Sequence, residues 1–202
     1  MRRRFDFPVT LAVIGLAIVT TAVAFAAPGV RDALVADHRA LDGQVWRLAT
    51  GPLIHATWAH LVRDLALVAL AGAVYEGPLA RRRLALFGGG IAVPGLAVLL
   101  AHDASWYCGL SGLSHSLLAA ALAYEARHRR GAARAVVRVL CVVAALKPLY
   151  ELLAGAPAFP MALGPAVVQV PLAHVVGVLI GIACGLSCDD GARVGERVPG
   201  AR

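Results

Sequence analysis

Six long apolar segments recur along this chain, and they constrain its fold more than any other feature. Each has close to the roughly 20 residues that an α-helix needs to cross the hydrocarbon core of a bilayer. Irregular backbone cannot face lipid, because its polar groups would have no hydrogen-bond partners there. The segments are residues 7–27, 58–75, 84–101, 108–125, 134–153 and 167–187. The sequence therefore predicts an all-α membrane protein, a bundle of six transmembrane helices.

The composition agrees with a membrane protein of one domain. Of its 202 residues, 59% are hydrophobic, and the mean hydropathy of +0.74 is far above that of a soluble globular domain. The absence of a long polar block predicts one membrane domain over residues 1–188. Residues 189–202 are polar, and we expect a disordered cytoplasmic tail there.

The net charge of +7 comes from basic residues that cluster between apolar segments. This distribution does not indicate a nucleic-acid-binding face; it determines topology instead. If there are six spans, Arg2–Arg4, Arg81–Arg83 and Arg127–Arg138 fall on one side, which the positive-inside rule makes cytoplasmic. Both termini are then cytoplasmic. The first segment follows three arginines like a signal peptide, but we interpret it as a retained helix because the rest of the chain is equally apolar.

Three polar residues from three separate segments share the predicted outer third of the membrane. Ser111 lies within about a turn of the outer end of its helix, and His60 lies in the first turn of another. His174 lies about two turns into the last helix. Ionisable side chains in a membrane are costly and usually functional. A serine and a histidine are the minimum for an activated oxygen nucleophile, so we expect these helices to pack together.

Glycines accompany both the serine and the last histidine. Gly109 and Gly112 flank Ser111, and Gly177 and Gly181 follow His174 at i+3 and i+7, on the same helical face. Such a face permits close contact between helices. Each pattern alone is typical of ordinary helix packing, and their combination is what indicates a site.

The chain resembles the rhomboid family of intramembrane serine proteases over essentially its whole length. The stretch 105–115, in which Gly-Leu-Ser-Gly is followed by a histidine, is similar to the rhombosortase branch of compact bacterial rhomboids. The matching residues are Trp46-Arg47, His55 and His60 around Trp58, Glu76, Gly109-Leu110-Ser111-Gly112, and Ala173-His174 with Gly177 and Gly181.

The resemblance implies roles for these residues. Ser111 would be the nucleophile and His174 the general base, while His60 and the backbone N–H of Ser111 would bind the oxyanion. Trp46-Arg47 would anchor the first loop at the membrane interface. No cofactor or metal is implied.

The resemblance also implies substrates and a location. The partners would be membrane proteins with a transmembrane segment, cleaved at the outer face of a bacterial cytoplasmic (inner) membrane. For the rhombosortase branch, the substrates would carry a C-terminal sorting anchor made of a Gly-Gly motif, a transmembrane helix and a basic end.

The chain departs from the family pattern at Asp64, where the family usually has asparagine. An ionised carboxylate cannot donate a hydrogen bond and would repel an oxyanion. Asp64 is therefore protonated, or it orients His60, or the site is weakened; we hypothesise that it pairs with His60 or Arg63. His115, at i+4 from Ser111, is expected either to tune the site or contact substrate, or simply to bond a neighbouring helix.

The sequence leaves alternatives open for the nucleophile and for the function. Ser114, Ser116 and Cys108 are rival nucleophiles, although Ser114 lacks flanking glycines and Cys108 is expected at the mouth of its helix. The chain also fits a catalytically inactive rhomboid-like protein that binds transmembrane segments. A third reading is a haem or metal protein using His60, His115 and His174, although the chain has no His-Glu-x-x-His motif and its cysteines lack zinc-site spacing.

Overall fold

The computed structural model describes residues 7–101, 106–158 and 168–187. Within these ranges the regular secondary structure is helical, apart from an isolated antiparallel β-bridge between Ala36 and Tyr107. Short 3₁₀ turns lie at His38–Ala40, Gly51–Leu53 and Ala80–Arg82. The α-helices of the described residues are α1 (Pro8–Ala26), α2 (Pro28–Leu34), α3 (Arg47–Thr50), α4 (Trp58–Tyr75), α5 (Arg83–Ala101), α6 (Ser111–His128), α7 (Gly131–Ala154) and α8 (Pro171–Leu186).

Each predicted apolar segment coincides with one long helix, namely α1 and α4 to α8. Among the described residues, three helical stretches are long and apolar enough to cross a membrane: Pro8–Ala26, Trp58–Tyr75 and Ala80–Ala101. Pro171–Leu186 is apolar but shorter. The all-helical class is thus observed in the described residues, whereas the number of six spans stays a prediction. The predicted tail, 189–202, and Cys188 lie outside the described residues.

Helix α6 lies at the centre of the bundle, and α8 packs directly on its backbone. A Cβ atom added to Gly177 would lie 2.3 Å from the carbonyl oxygen of Gly112, and one added to Gly181 would lie 2.2 Å from that of Ser116. Only glycine fits such an approach, because any side chain would overlap the facing backbone. The glycine face of α8 therefore fixes the separation of the two helices that carry Ser111 and His174.

Glu76 joins the end of α4 to the start of α1. Its carboxylate, 1% exposed, accepts hydrogen bonds from the backbone N–H groups of Val9 (3.0 Å) and Thr10 (2.8 Å) and from the Thr10 hydroxyl (2.7 Å). These N–H groups belong to the first turn of α1, where no intrahelical acceptor exists. A negative charge also interacts favourably with the positive end of the helix dipole.

Arg82 and Arg127, from two of the basic clusters, lie at the other end of the bundle from Ser111. Arg82 and Arg127 both donate hydrogen bonds to backbone carbonyls at the end of α8, those of Ser187 and Leu186. The hydroxyl of Tyr75, at the end of α4, donates to Glu125 near the end of α6 at 2.9 Å. The starts of α4, α6 and α8 consequently share the opposite end, where the candidate site lies.

The outward faces of the long helices are apolar. On α7 only Pro148 and Glu151 are buried, while Val139, Leu146 and Leu153 are more than half exposed. A contiguous apolar surface of this kind is unfavourable in water and suits a lipid environment.

The first loop is folded around Arg47. Its guanidinium, only 3% exposed, donates to the backbone carbonyls of Asp32 (2.6 Å) and Val35 (2.9 Å) and to the side chain of Gln44 (2.7 Å). Trp46 beside it is 51% exposed. The expectation of an amphipathic pair at the interface therefore fits Trp46 but not Arg47, which holds the loop together from inside.

An ion-pair cluster completes the surface of this loop. The Arg39 guanidinium binds the carboxylates of Asp37 (2.6 Å) and Asp32 (2.7 Å). Its hydrogen bonds are the main reason why the pKa of each carboxyl lies below its ordinary value.

Candidate active site

Ser111 is the first residue of α6, and Gly109 shapes the turn that leads into it. Gly109 has a φ of +97°, in the left-handed region that favours glycine. A Cβ atom there would also lie 2.6 Å from Cε1 of His60. The turn thus requires glycine both for its backbone conformation and for its contact with the imidazole. The backbone N–H of Ser111 has no intrahelical acceptor and lies at the positive end of the α6 dipole.

Tyr107 is a neighbour of Ser111 that the sequence interpretation missed. Its buried hydroxyl lies close to the Ser111 side chain and to the backbone of Gly112. Its own backbone N–H donates to the carbonyl of Ala36 at 2.7 Å, which ties the entry to α6 to the first loop. A tyrosine four residues before a serine carries no sequence signal for this contact.

His174 lies in the first turn of α8, and the predicted depth of two turns is wrong. The helix begins at Pro171 because a proline suits the first helical position, and the residue before a proline avoids the helical conformation. Val170 is accordingly extended. His174 and Ser111 thus both lie in first turns, on helices whose backbones touch at Gly112 and Gly177.

His115 supports His174 by stacking. The two imidazole rings are nearly parallel, with an interplanar angle of 12° and ring centroids 4.1 Å apart. Nδ1 of His115 lies 2.7 Å from the carbonyl oxygen of Ser111, to which it donates a hydrogen bond. His115 therefore bonds within its own helix, not across to another one, and its ring face covers that of His174.

Glu151 on α7 lies beside Nδ1 of His174 and was not singled out from the sequence. Its side chain is 1% exposed, and Oε2 lies 3.7 Å from Nδ1 of His174 and 3.0 Å from Nζ of Lys147. The sequence did carry a signal for this residue, a Lys–Glu pair at i,i+4 inside an apolar segment. Such a pair indicates a functional role because ionisable groups in membrane-spanning segments are seldom incidental.

Asp64 lies between two histidines. Its Oδ2 atom is 3.4 Å from Nε2 of His60 and 3.3 Å from Nε2 of His55. Arg63, the other partner considered from the sequence, instead donates to the carbonyl of Ala59. Of the two hypothesised neighbours, the structure places His60 beside the carboxylate.

His55 links this cluster to the turn before Ser111. Its side chain is fully buried, with Nδ1 3.2 Å from the Thr21 hydroxyl. Its Nε2 accepts a hydrogen bond from the backbone N–H of Leu110 at 3.4 Å. Helix α1, the first loop and the start of α6 are thereby held in one network.

The rival serines have structural partners. Ser114 donates a hydrogen bond to the carbonyl of Asp64 at 3.3 Å, and Ser116 donates to that of Gly177 at 2.9 Å. Both hydroxyls tie α6 to neighbouring helices. Cys108 is a half-buried free thiol. In the part of the chain that the structure describes, no three His, Cys, Asp or Glu side chains form a group suited to a metal ion.

Comparison with known proteins identifies the fold family. The family model of the Rhomboid domain matches residues 42–188, which include Ser111, His174, His60, Asp64 and Glu151. No curated protein matches the chain. Members of the matched family are intramembrane serine proteases. Since the match covers well over half of the chain, this protein belongs to the rhomboid family.

Proposed function

We propose that this protein is an intramembrane serine endopeptidase with a Ser111–His174 dyad. The observation that carries the proposal is the contact of α8 with α6 at Gly177 and Gly112. It holds together the first turns of the two helices, one beginning with the serine and the other containing the histidine. The proposal is also supported by Ser114 and Ser116, whose hydroxyls are bound to backbone carbonyls.

The chemistry follows from these residues. The Ser111 oxygen attacks the scissile carbonyl while Nε2 of His174 takes its proton, and His174 then protonates the leaving amine. The oxyanion is stabilised by the backbone N–H of Ser111, at the positive end of the α6 dipole, and by His60. The turn at Gly109 sets the separation between these two donors.

Asp64 acts through His60 in this scheme. Its Oδ2 atom lies 3.4 Å from Nε2 of His60 without a hydrogen bond in the observed geometry, so a small rotation of the ring would let it accept the Nε2–H. Substrate binding must then turn or share this donor toward the oxyanion. The departure from the family's asparagine thereby modulates the oxyanion site without removing it.

The proposed topology puts the site at the outer face of a bacterial inner membrane. The arginines at the opposite end of the bundle, including Arg82 and Arg127, make that end cytoplasmic. With six spans, both termini are cytoplasmic. A substrate helix must unwind to reach Ser111, so small, helix-breaking residues near its outer end suit the site.

The substrate class that we propose is a C-terminally anchored surface protein, as in the rhombosortase branch. The basis is the Gly-Leu-Ser-Gly sequence with His115 at i+4, whose ring stacks on His174. Cleavage would remove a Gly-Gly-type sorting anchor. The substrate is then released or transferred to another nucleophile.

Co-expression with a reporter tests the function. The reporter carries an outer Gly-Gly motif, a transmembrane helix and a basic end, and wild type should shorten it, whereas Ser111→Ala should leave it intact. Ser114→Ala is the matched control, and it should still cleave. A different result would contradict the proposal: wild type copurifies with an uncleaved reporter and also leaves a panel of other transmembrane substrates intact. The protein would then be a catalytically inactive rhomboid-like protein that binds transmembrane segments.

A further inference from the structure

Two buried polar atoms face each other across the α7–α8 contact. Nδ1 of His174 and Oε2 of Glu151 lie 3.7 Å apart, and neither makes a hydrogen bond among the described residues, although Oε2 also lies 3.0 Å from Nζ of Lys147. Buried polar atoms without a hydrogen bond are rare, so two that lie this close are suited to bond each other after a small movement. A movement of under about 1 Å would bring this pair to hydrogen-bond distance.

The remaining contacts of Glu151 prepare its carboxylate for this bond. Oε1 accepts a hydrogen bond from the backbone N–H of Ala158 at 2.9 Å, which fixes the side chain from the loop after α7. Nζ of Lys147, 3.0 Å from Oε2, supplies a countercharge for the buried carboxylate. A carboxylate oxygen has two lone pairs, so Oε2 can accept from both Lys147 and His174.

We propose that Glu151 is a positioning residue for His174, so that the site works as a Ser–His–Glu arrangement; this rests on the proposed protease function. The carboxylate accepts a hydrogen bond from Nδ1–H and thereby leaves Nε2 unprotonated and directed at Ser111. When Nε2 takes the serine proton, the ring becomes an imidazolium, and the carboxylate stabilises that charge. His115 holds the ring plane by stacking, while Glu151 sets its tautomer.

Glutamine at position 151 is the sharpest test. The carboxamide has nearly the same shape, but its N–H₂ group can donate to Nδ1 and stabilise the tautomer protonated on Nε2, which cannot act as a base. Glu151→Gln should lower kcat for a fluorogenic transmembrane peptide on the order of 100-fold, with KM little changed. Glu151→Asp should recover part of the rate. Glu125→Gln, the same change at the other end of the bundle, is the control and should leave kcat unchanged.

Two readouts separate positioning from a merely structural role. In the His174→Ala background, Glu151→Gln should cause no further loss of residual activity, because it acts only through the imidazole. Nitrogen NMR of histidine-labelled protein, assigned with His174→Ala, should show the proton of His174 on Nδ1 in wild type and on Nε2 in Glu151→Gln.

The outcomes distinguish this inference from the function on which it rests. Ser111-dependent cleavage that is unchanged in Glu151→Gln overturns the positioning role and leaves the protease intact. Additive losses in the double variant, or an unchanged His174 tautomer, also overturn it. If wild type has no Ser111-dependent activity while the tautomer still depends on Glu151, the protease proposal and the catalytic meaning of the pair fail, although the hydrogen bond exists.

Discussion

Replacing Gly177 by alanine should inactivate the protein far more than it destabilises it. The new Cβ would lie 2.3 Å from the carbonyl oxygen of Gly112, whereas an ordinary carbon–oxygen contact is about 3.3 Å or more. Because the obstacle is backbone, no side-chain rotation relieves it, and α8 must move away from α6 by about 1 Å. His174, less than one turn away, moves with α8.

The expected magnitudes differ for stability and rate. Overpacking of this kind costs about 1–3 kcal/mol. The gain in helix propensity from glycine to alanine offsets about 1 kcal/mol, so the net destabilisation should be about 0–2 kcal/mol. A displacement of about 1 Å between reacting groups, in contrast, lowers the rate on the order of 100-fold. Thermal unfolding in detergent and cleavage of a fluorogenic transmembrane peptide measure the two effects on the same preparation.

Two other glycines provide matched controls. Gly185→Ala makes the same type of clash, 2.6 Å from the carbonyl of Ala120, but about 12 Å further along α8 than Gly177. It should destabilise to a similar extent and lower the rate less than about 10-fold. Gly88→Ala meets no atom within 4 Å and should leave the rate unchanged. Wild-type cleavage by Gly177→Ala, or an equal loss in Gly185→Ala, would refute the reasoning.

Three further substitutions test other parts of the account. Gly109→Ala forces a side chain into a left-handed backbone and against His60, so cleavage should fall at least about 100-fold; near-normal cleavage would show that the turn is not needed. Asp64→Asn replaces an acceptor by a group that can also donate, and cleavage should be preserved or raised. Its complete loss would contradict the role assigned to Asp64. Glu76→Gln leaves the first turn of α1, including Thr10, with a weaker acceptor, so it should cost about 1–3 kcal/mol of stability with kcat unchanged; an unaltered melting temperature would argue against this cap.

The long helices could be predicted because apolar length is a local property of the sequence. The segment 58–75 coincides with α4, and the other ends differ by at most four residues. The short helices α2 and α3 could not be predicted in this way. They depend on Arg47, whose bonds to the carbonyls of Asp32 and Val35 join residues that are distant in sequence.

In the candidate site, the contact between α6 and α8 could be predicted from the glycines that accompany the polar residues. The contacts that depend on how a helix is rotated about its own axis could not. Gly177 and Gly181 indicated the face of α8 that packs on α6. The position of Glu151 relative to His174 depends on the rotation of α7, which a segment with apolar residues all round does not specify. The apolar run starts before Pro171, which begins the helix, so the run does not predict the depth of His174 correctly.

The central claim is that His174 activates Ser111, and covalent labelling with a fluorophosphonate tests it most directly. The purified protein is treated in detergent, and the modified residue is located by mass spectrometry. We expect a label on Ser111, no label at position 111 in Ser111→Ala, and a labelling rate lowered at least about 100-fold in His174→Ala. Labelling of Ser114 instead, no labelling of wild type, or an undiminished rate in His174→Ala would contradict it.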